Sequence, residues 1–254
     1  MHEHLDIWKD IYAIKSYEID PEMKASLTSL CNFFQESAWH HARKHHYGYH
    51  DLLKRNLGWM LSRFMVRIMK FPSWGERVTV ETWAKGVDRF FALRDFQILD
   101  DRDNIIGVAT SAWLLLELGS YRPVRLETFR NEFPFIPSKH AIEASLKKLP
   151  DLMKADNENQ IIVKYSDLDI NNHVNNVKYI EWILDSFPVE IRKTFRMETL
   201  EINFLAEALL GERILIQSGE TGEVKSCTRA WVHRALRTSD RREIFRAKTR
   251  WLAN

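Results

Sequence analysis

The sequence predicts an α+β protein made of two tandem units, each a long helix set against an antiparallel β-sheet. Three observations carry that expectation. A helical stretch followed by a series of short β-type runs occurs twice along the chain. Residue echoes recur at nearly constant spacing: Gly75-Glu76-Arg77-Val78 answers Gly211-Glu212-Arg213-Ile214 at an offset of 136, and Ala109 with Trp113 answers Ala247 with Trp251 at 138. The 254 residues, 45% apolar and 12% aromatic, can fill the core of one large domain or two moderate ones.

Residues 7–19 alternate as a leading strand, and Asp20-Pro21-Glu22 has the form of a helix start with Pro at the first helical position. Leu27, Leu30, Cys31, Phe34, Ala38 and Ala42 give the apolar stripe of the helix that follows, with Gly48 as its stop. Strands are expected over 60–69, 77–83, 90–99 and 105–116, separated by Pro72-Ser73-Trp74-Gly75 and by the turn at 100–104. A first domain over 1–140 and a second over 150–254 flank a proline- and charge-rich linker, 118–150, with one helical stretch near 141–149. In the second half, 165–187 supplies a loop and a helix. Strands follow from Thr199 onward, around Gly211, 219–222 and Ser239-Asp240.

The loop before the second helix is the candidate site. Val177, Ile180, Ile183 or Leu184, and Phe187 recur at helical spacing up to Pro188, so the polar run Asp167 to Asn176 sits at a helix N-terminus. Unpaired backbone N–H groups there favour a partial negative charge such as a polarised carbonyl oxygen. Asp169, Asn171 and His173, two residues apart, put a carboxylate, an amide donor and an imidazole on one side of an extended stretch. A capping loop is the competing reading of the same spacing, since Asp and Asn are preferred N-caps.

The stretch Asp169-Ile170-Asn171-Asn172-His173, Val174 to Tyr179, and Trp182-Ile183-Leu184 resembles the signature of plant and bacterial acyl-ACP (acyl carrier protein) thioesterases. The resemblance extends over nearly the whole chain, through Tyr17-Glu18, Gln35-Glu36-Ser37-Ala38, Trp74-Gly75-Glu76, Thr82-Trp83, Arg94-Asp95 and Trp113. It implies a double hot-dog fold and hydrolysis of fatty acyl-ACP to free fatty acid and holo-ACP, with Asp169, Asn171, His173 and Glu207 as the catalytic set. Glu207 falls opposite Phe71 in the repeat, so this acid belongs to the second half alone. Ala208 stands where the family often has Cys, which excludes a thiol nucleophile there.

Thioester hydrolysis requires an activated water, a polarised carbonyl and a proton for the leaving thiolate. Glu207 with His173 would activate water. Asn171 and the backbone N–H groups around His173 and Val174 would hold the oxyanion, and Asp169 would orient Asn171 or His173. Attack by Asp169 to form an acyl anhydride is the alternative. The first half, without these residues, is free to form an acyl pocket lined by Leu30, Phe34, Phe64 and Phe71, with Val174 contributing from the loop. An acyl-CoA thioesterase and a non-catalytic acyl-thioester sensor are the competing functions.

A net charge of +2, with basic and acidic residues intermixed, gives no case for a nucleic-acid partner, and nine dispersed tryptophans read as core and pocket lining. No run of about 18 apolar residues implies a membrane partner, and the N-terminus lacks the form of a signal or transit peptide. Two cysteines are compatible with a reducing cytosol, so a cytoplasmic location is expected. The expected partner is acyl carrier protein bearing a fatty acyl chain, with Lys164, Lys178, Arg192 and Lys193 flanking the site, and a homodimer is admissible. No cofactor or metal is expected: His41 and His45 have metal-compatible spacing without an accompanying motif and read as a solvated helix end, while 100–104 reads as a hairpin turn rather than a calcium loop.

Overall fold

The computed structural model describes residues 6–129, 133–222 and 227–253. It divides into two compact units, Met1–Leu146 and Lys147–Asn254. In the first, β1 (Trp8–Ala13) precedes α1 (Leu27–Lys44) and α2 (Tyr49–Lys54), and then come β2 (Leu57–Ile68), β3 (Arg77–Asp88), β4 (Phe91–Leu99) and β5 (Ile105–Glu117). The strands pair antiparallel in the order β1-β3-β4-β5-β2. In the second, β6 (Asn157–Ile162) precedes α3 (Asn176–Asp185), α4 (Val189–Thr194), β7 (Phe195–Phe204), β8 (Arg213–Glu220), β9 (Thr228–Arg237) and β10 (Glu243–Ala253). Its order, β6-β8-β9-β10-β7, is the same topology. Each unit is a helix packed on an antiparallel sheet, the hot-dog arrangement expected from the sequence.

The echoes at Gly75 and Gly211 reflect an identical turn. Both glycines have left-handed φ, 83° and 81°. Gly75 N–H donates to Ile14 C=O and Gly211 N–H to Val163 C=O, while Glu76 and Glu212 accept in return from the N–H of Ile14 and Val163. Their carboxylates also match, accepting from Ser73 N–H (2.8 Å) and Leu209 N–H (3.0 Å). At the other echo, the indole N–H of Trp113 donates to Ser111 Oγ, and that of Trp251 to Thr249 Oγ1.

The first helix begins later than expected. Asp20 does cap, but it caps a turn: its Oδ1 accepts from the N–H groups of Glu22 and Lys24, and Met23 takes φ 58°. The helix starts at Leu27, with Ser26 Oγ accepting from Ser29 N–H. It buries Leu30, Cys31, Phe34 and Ala38 and packs on β3 and β1. Its end is made by His45 and left-handed His46, and Gly48 instead N-caps α2. The second-half helix is shorter, 10 residues against 18, and is closed by Ser186 just ahead of Pro188. Its Tyr179 ring packs edge-on to Phe245, and Phe187 beyond it lies against Trp231, His233 and Trp251.

The helix expected near 141–149 is absent, and side chains explain why. Ala141 N–H donates to Asp95, Ile142 C=O accepts from Lys85 and Leu146 C=O from Arg63; in the second unit Lys147 C=O and Leu149 N–H bond Asn203. Backbone groups held this way are not available to helical bonds. Lys85 is the bulge residue of β3 against β4; its ammonium lies 2.9 Å from the fully buried carboxylate of Asp95.

His41 is not at a solvated helix end. It is fully buried, with Nε2 2.5 Å from Asp6, which also meets His45 (2.7 Å) and Lys44 (2.5 Å). Asp6, His41 and His45 lie close enough together to chelate a cation. However, Arg94 donates to His41 Nδ1 at 2.9 Å, so Nε2 carries the ring proton and faces Asp6 as a donor. With Arg94 and Lys44 alongside, the cluster is a hydrogen-bonded ion cluster rather than a metal centre. The turn at 100–104 is a turn as expected, with Asp100 Oδ1 accepting from the N–H groups of Arg102 and Asn104.

Two buried histidines set a pH dependence. Burial, aided by the Arg94 charge, pushes His41 down to about 4, and burial alone pushes His233 down to about 3. Both are neutral in the folded chain and titrate near the ordinary 6.5 when unfolded. The unfolded state therefore binds more protons as pH falls below that value, and stability, complete above it, is lost progressively toward pH 4 and below. His233 occupies the place that Phe96 holds in the first unit, opposite Ala247 and Ala109 respectively. His233→Phe is expected to flatten the loss, read by urea unfolding from pH 7 to 4.5.

Candidate active site

Asp169 is the framework of the loop. Its Oδ1 accepts from Asn171 N–H (2.8 Å) and His173 N–H (3.3 Å), and its own N–H donates to His173 C=O (2.7 Å), with Asn172 left-handed at φ 60°. Val174 N–H donates to Ala208 C=O at 3.1 Å, which brings the loop alongside Glu207. Asn175 N-caps α3, accepting from Val177 N–H. His173 Nε2 then lies 3.5 Å from Glu207 Oε2. Asn171 is exposed, its amide 3.5 Å from the second oxygen of Asp169. Four polar side chains from two segments thus share one surface of the second unit.

The first unit contains the same loop with different side chains. Asp20 N–H donates to Lys24 C=O (2.7 Å), Ala25 N–H to Pro72 C=O (2.8 Å) and Ser26 N–H to Glu18 C=O (2.8 Å), matching Asp169, Val174 and Asn175 bond for bond. The bridges Ile19 to Ala25 and Leu168 to Val174 match as well. Asp20 stands for Asp169, Glu22 for Asn171, Lys24 for His173 and Phe71 for Glu207. The capping reading therefore accounts for the aspartate, which both loops keep. It does not account for Asn171, His173 or Glu207, because the same backbone forms without them.

One sequence expectation is corrected. The N–H groups of His173 and Val174 are both engaged, by Asp169 and by Ala208, so they are not free to bind an oxyanion; among the groups expected for that task, the Asn171 amide is the donor that faces outward. Val174 is buried in the second unit. Leu30, Phe34 and Phe64 are buried in the first unit, Phe34 lying 6.4 Å from Phe64 and 5.0 Å from Phe96 between ring centres, while Phe71 is half-buried. Lys178 pairs with Glu181 and Arg192 with Asp185, and Lys164 is exposed.

Two hot-dog units, one bearing an Asp-Asn-His loop opposed by a glutamate and the other a copy of the loop that keeps only the aspartate, define a tandem hot-dog protein with its candidate site in the second unit. Comparison with known proteins places it further. The acyl-ACP thioesterase N-terminal domain matches residues 6–131 and the acyl-ACP thioesterase C-terminal domain matches 151–253, and the chain belongs to the acyl-ACP thioesterase family. It is 30% identical over 262 residues to the chloroplastic palmitoyl-acyl carrier protein thioesterase of Gossypium hirsutum, covering 96% of this chain and 63% of that protein. The chain spans roughly three-fifths of the length of several such plant relatives. Its fold matches the crystal structure of an acyl-ACP thioesterase from Bacteroides thetaiotaomicron with a TM-score of 0.84 at 26% identity, covering 97% of this chain and 98% of that one. It matches the 12:0-ACP thioesterase from Umbellularia californica with a TM-score of 0.84 at 25% identity, covering 98% and 95%.

Proposed function

We propose that the protein hydrolyses fatty acyl-ACP to free fatty acid and holo-ACP in fatty acid biosynthesis, with Asn171, His173 and Glu207 as catalytic residues and Asp169 as the residue that positions them. The observation that carries this is the pair of loops with one backbone and two sets of side chains. Residues that folding does not require, gathered opposite an acid in a family of thioester hydrolases, are there for chemistry.

His173 and Glu207 together take a proton from water, whose oxygen attacks the thioester carbonyl. The carbonyl becomes a tetrahedral oxyanion held by the Asn171 amide. As it collapses, the C–S bond breaks and the protonated base returns its proton to the departing thiolate. Asp169 has one oxygen bound to two loop N–H groups, as Asp20 has in the first unit, which favours this water-activation route over attack by Asp169.

The first unit is proposed to read acyl length through Leu30, Phe34, Phe64 and Phe71. Each buried methylene contributes about 0.8 kcal/mol to binding. The reading also carries a cytoplasmic location and admits a homodimer, which light scattering would detect. The test is release of thiol from acyl-ACPs of graded length with matched acyl-CoAs alongside, using wild type and single Leu30, Phe34 and Phe64 variants. Faster turnover of acyl-ACP, falling as salt rises because the carrier is acidic, is expected. Equal or better turnover of acyl-CoA would move the assignment to a CoA thioesterase, and binding without release would make the protein a sensor.

A further inference from the structure

Tyr179 lies on α3 with its ring buried, and its hydroxyl oxygen accepts the N–H of Ala208 at 3.1 Å. Ala208 is fully buried and directly follows Glu207. The peptide that joins Glu207 to Ala208 is therefore held on both sides: Tyr179 takes its N–H, and Arg237 Nη2 donates to its carbonyl oxygen, that of Glu207, at 2.8 Å. Burial and the neighbouring carboxylates push the Tyr179 phenol up, so it stays a neutral hydroxyl throughout the working range of an enzyme.

The first unit shows what this arrangement is for. Leu30 stands in the place of Tyr179, at the same offset of 149 that relates Asp20 to Asp169. Opposite it, Pro72 stands in the place of Ala208, since the two carbonyls accept from Ala25 and Val174 in matching bonds. Proline has no N–H, so the first unit needs no acceptor there and has an apolar side chain instead. The second unit has the N–H and also has the hydroxyl that meets it. An unpaired N–H at a fully buried residue would destabilise the segment or turn it toward water.

We propose that Tyr179 is a positioning residue for thioester hydrolysis, fixing Glu207 opposite His173 through the Ala208 N–H. This rests on Glu207 and His173 being the catalytic pair. Tyr179 is itself buried, and its contribution passes through one backbone bond.

The test is a double-mutant cycle of Tyr179→Phe and Ala208→Pro, with kcat and KM for acyl-ACP measured beside thermal unfolding. Tyr179→Phe keeps the ring and is expected to lower kcat about 10-fold with little change in KM, because small displacements of a catalytic group cost rate rather than binding. In the Ala208→Pro background, where the N–H is gone as in the first unit, Tyr179→Phe is expected to have no further effect on kcat. A lowered melting temperature with wild-type kcat would show a structural role only and overturn the proposal. So would an equal loss of kcat in both backgrounds, since the hydroxyl would then act on something other than this bond. Wild-type turnover by His173→Ala would fail the underlying assignment separately, whatever Tyr179→Phe does.

Discussion

His173→Ala is expected to lower kcat for acyl-ACP by about 10²–10⁴, the usual contribution of a positioned acid or base, and Glu207→Gln to fall in or beyond that range. The two residues face each other at 3.5 Å from separate segments. If they act as one proton-transferring unit, their effects do not add, and the double variant should be little slower than the worse single one. Neither change should disturb the fold, because the first unit forms the same loop with Lys24 and Phe71 at these places. Circular dichroism and the unfolding midpoint are expected to match wild type. Near-normal turnover by either folded variant would remove it from the catalytic set.

The largest expected effect on stability lies in the first unit. Asp95→Ala would leave the Lys85 ammonium, itself mostly buried, without its counter-charge, and would strip the Ala141 N–H of its acceptor. Breaking a buried ion pair from one side costs roughly 3–5 kcal/mol, against a total stability on the order of 5–15 kcal/mol for a domain. A large fall in the urea midpoint of the first unit is therefore expected. Replacing both partners, as in Asp95→Leu with Lys85→Met, should recover much of it, since no charge is then left buried alone. An Asp95→Ala variant as stable as wild type would mean that solvent reaches Lys85 freely.

The strands and the duplication were legible because they are written locally. A glycine that must take positive φ, followed by the same Glu-Arg pair, marks the same turn in both halves, and the indole four residues after Ala109 or Ala247 marks the same place on β5 and β10. The second copy of the loop was not legible, although Asp20-Pro21-Glu22-Met23-Lys24 sits in plain view. The first half has a longer α1, 18 residues against the 10 of α3, and longer connections on to β2, so the repeat offset changes from 149 at the loop to 136 at the strands, and a comparison at one offset passes over it. Asp-Pro-Glu also has the form of a helix start, and only Met23 at left-handed φ shows that the chain turns back first.

Long-range partners account for the rest. A run containing His40, His41, His45 and His46 looks solvated until Asp6 and Arg94, distant in sequence, are brought onto it. Similarly, 141–149 reads as helical until side chains of both sheets claim its backbone. Within the site, Asp169, Asn171 and His173 could be found from their spacing and the family signature, because a short loop places them. The engagement of the His173 and Val174 N–H groups, and the bond from Ala208 to Tyr179, depend on how that loop docks against a segment some thirty residues away. No local pattern carries that information.

The central claim, that one backbone carries a hydrolytic site in the second unit because of three side chains, is tested most directly by giving the second loop the side chains of the first. A variant combining Asn171→Glu, His173→Lys and Glu207→Phe should fold as wild type does, since each residue already occupies that backbone in the first unit. The measurement is multiple-turnover release of holo-ACP thiol from a long-chain acyl-ACP, alongside the unfolding midpoint. Wild type is expected to release many equivalents per chain while the folded triple variant releases essentially none. Sustained turnover by the folded variant would contradict the account.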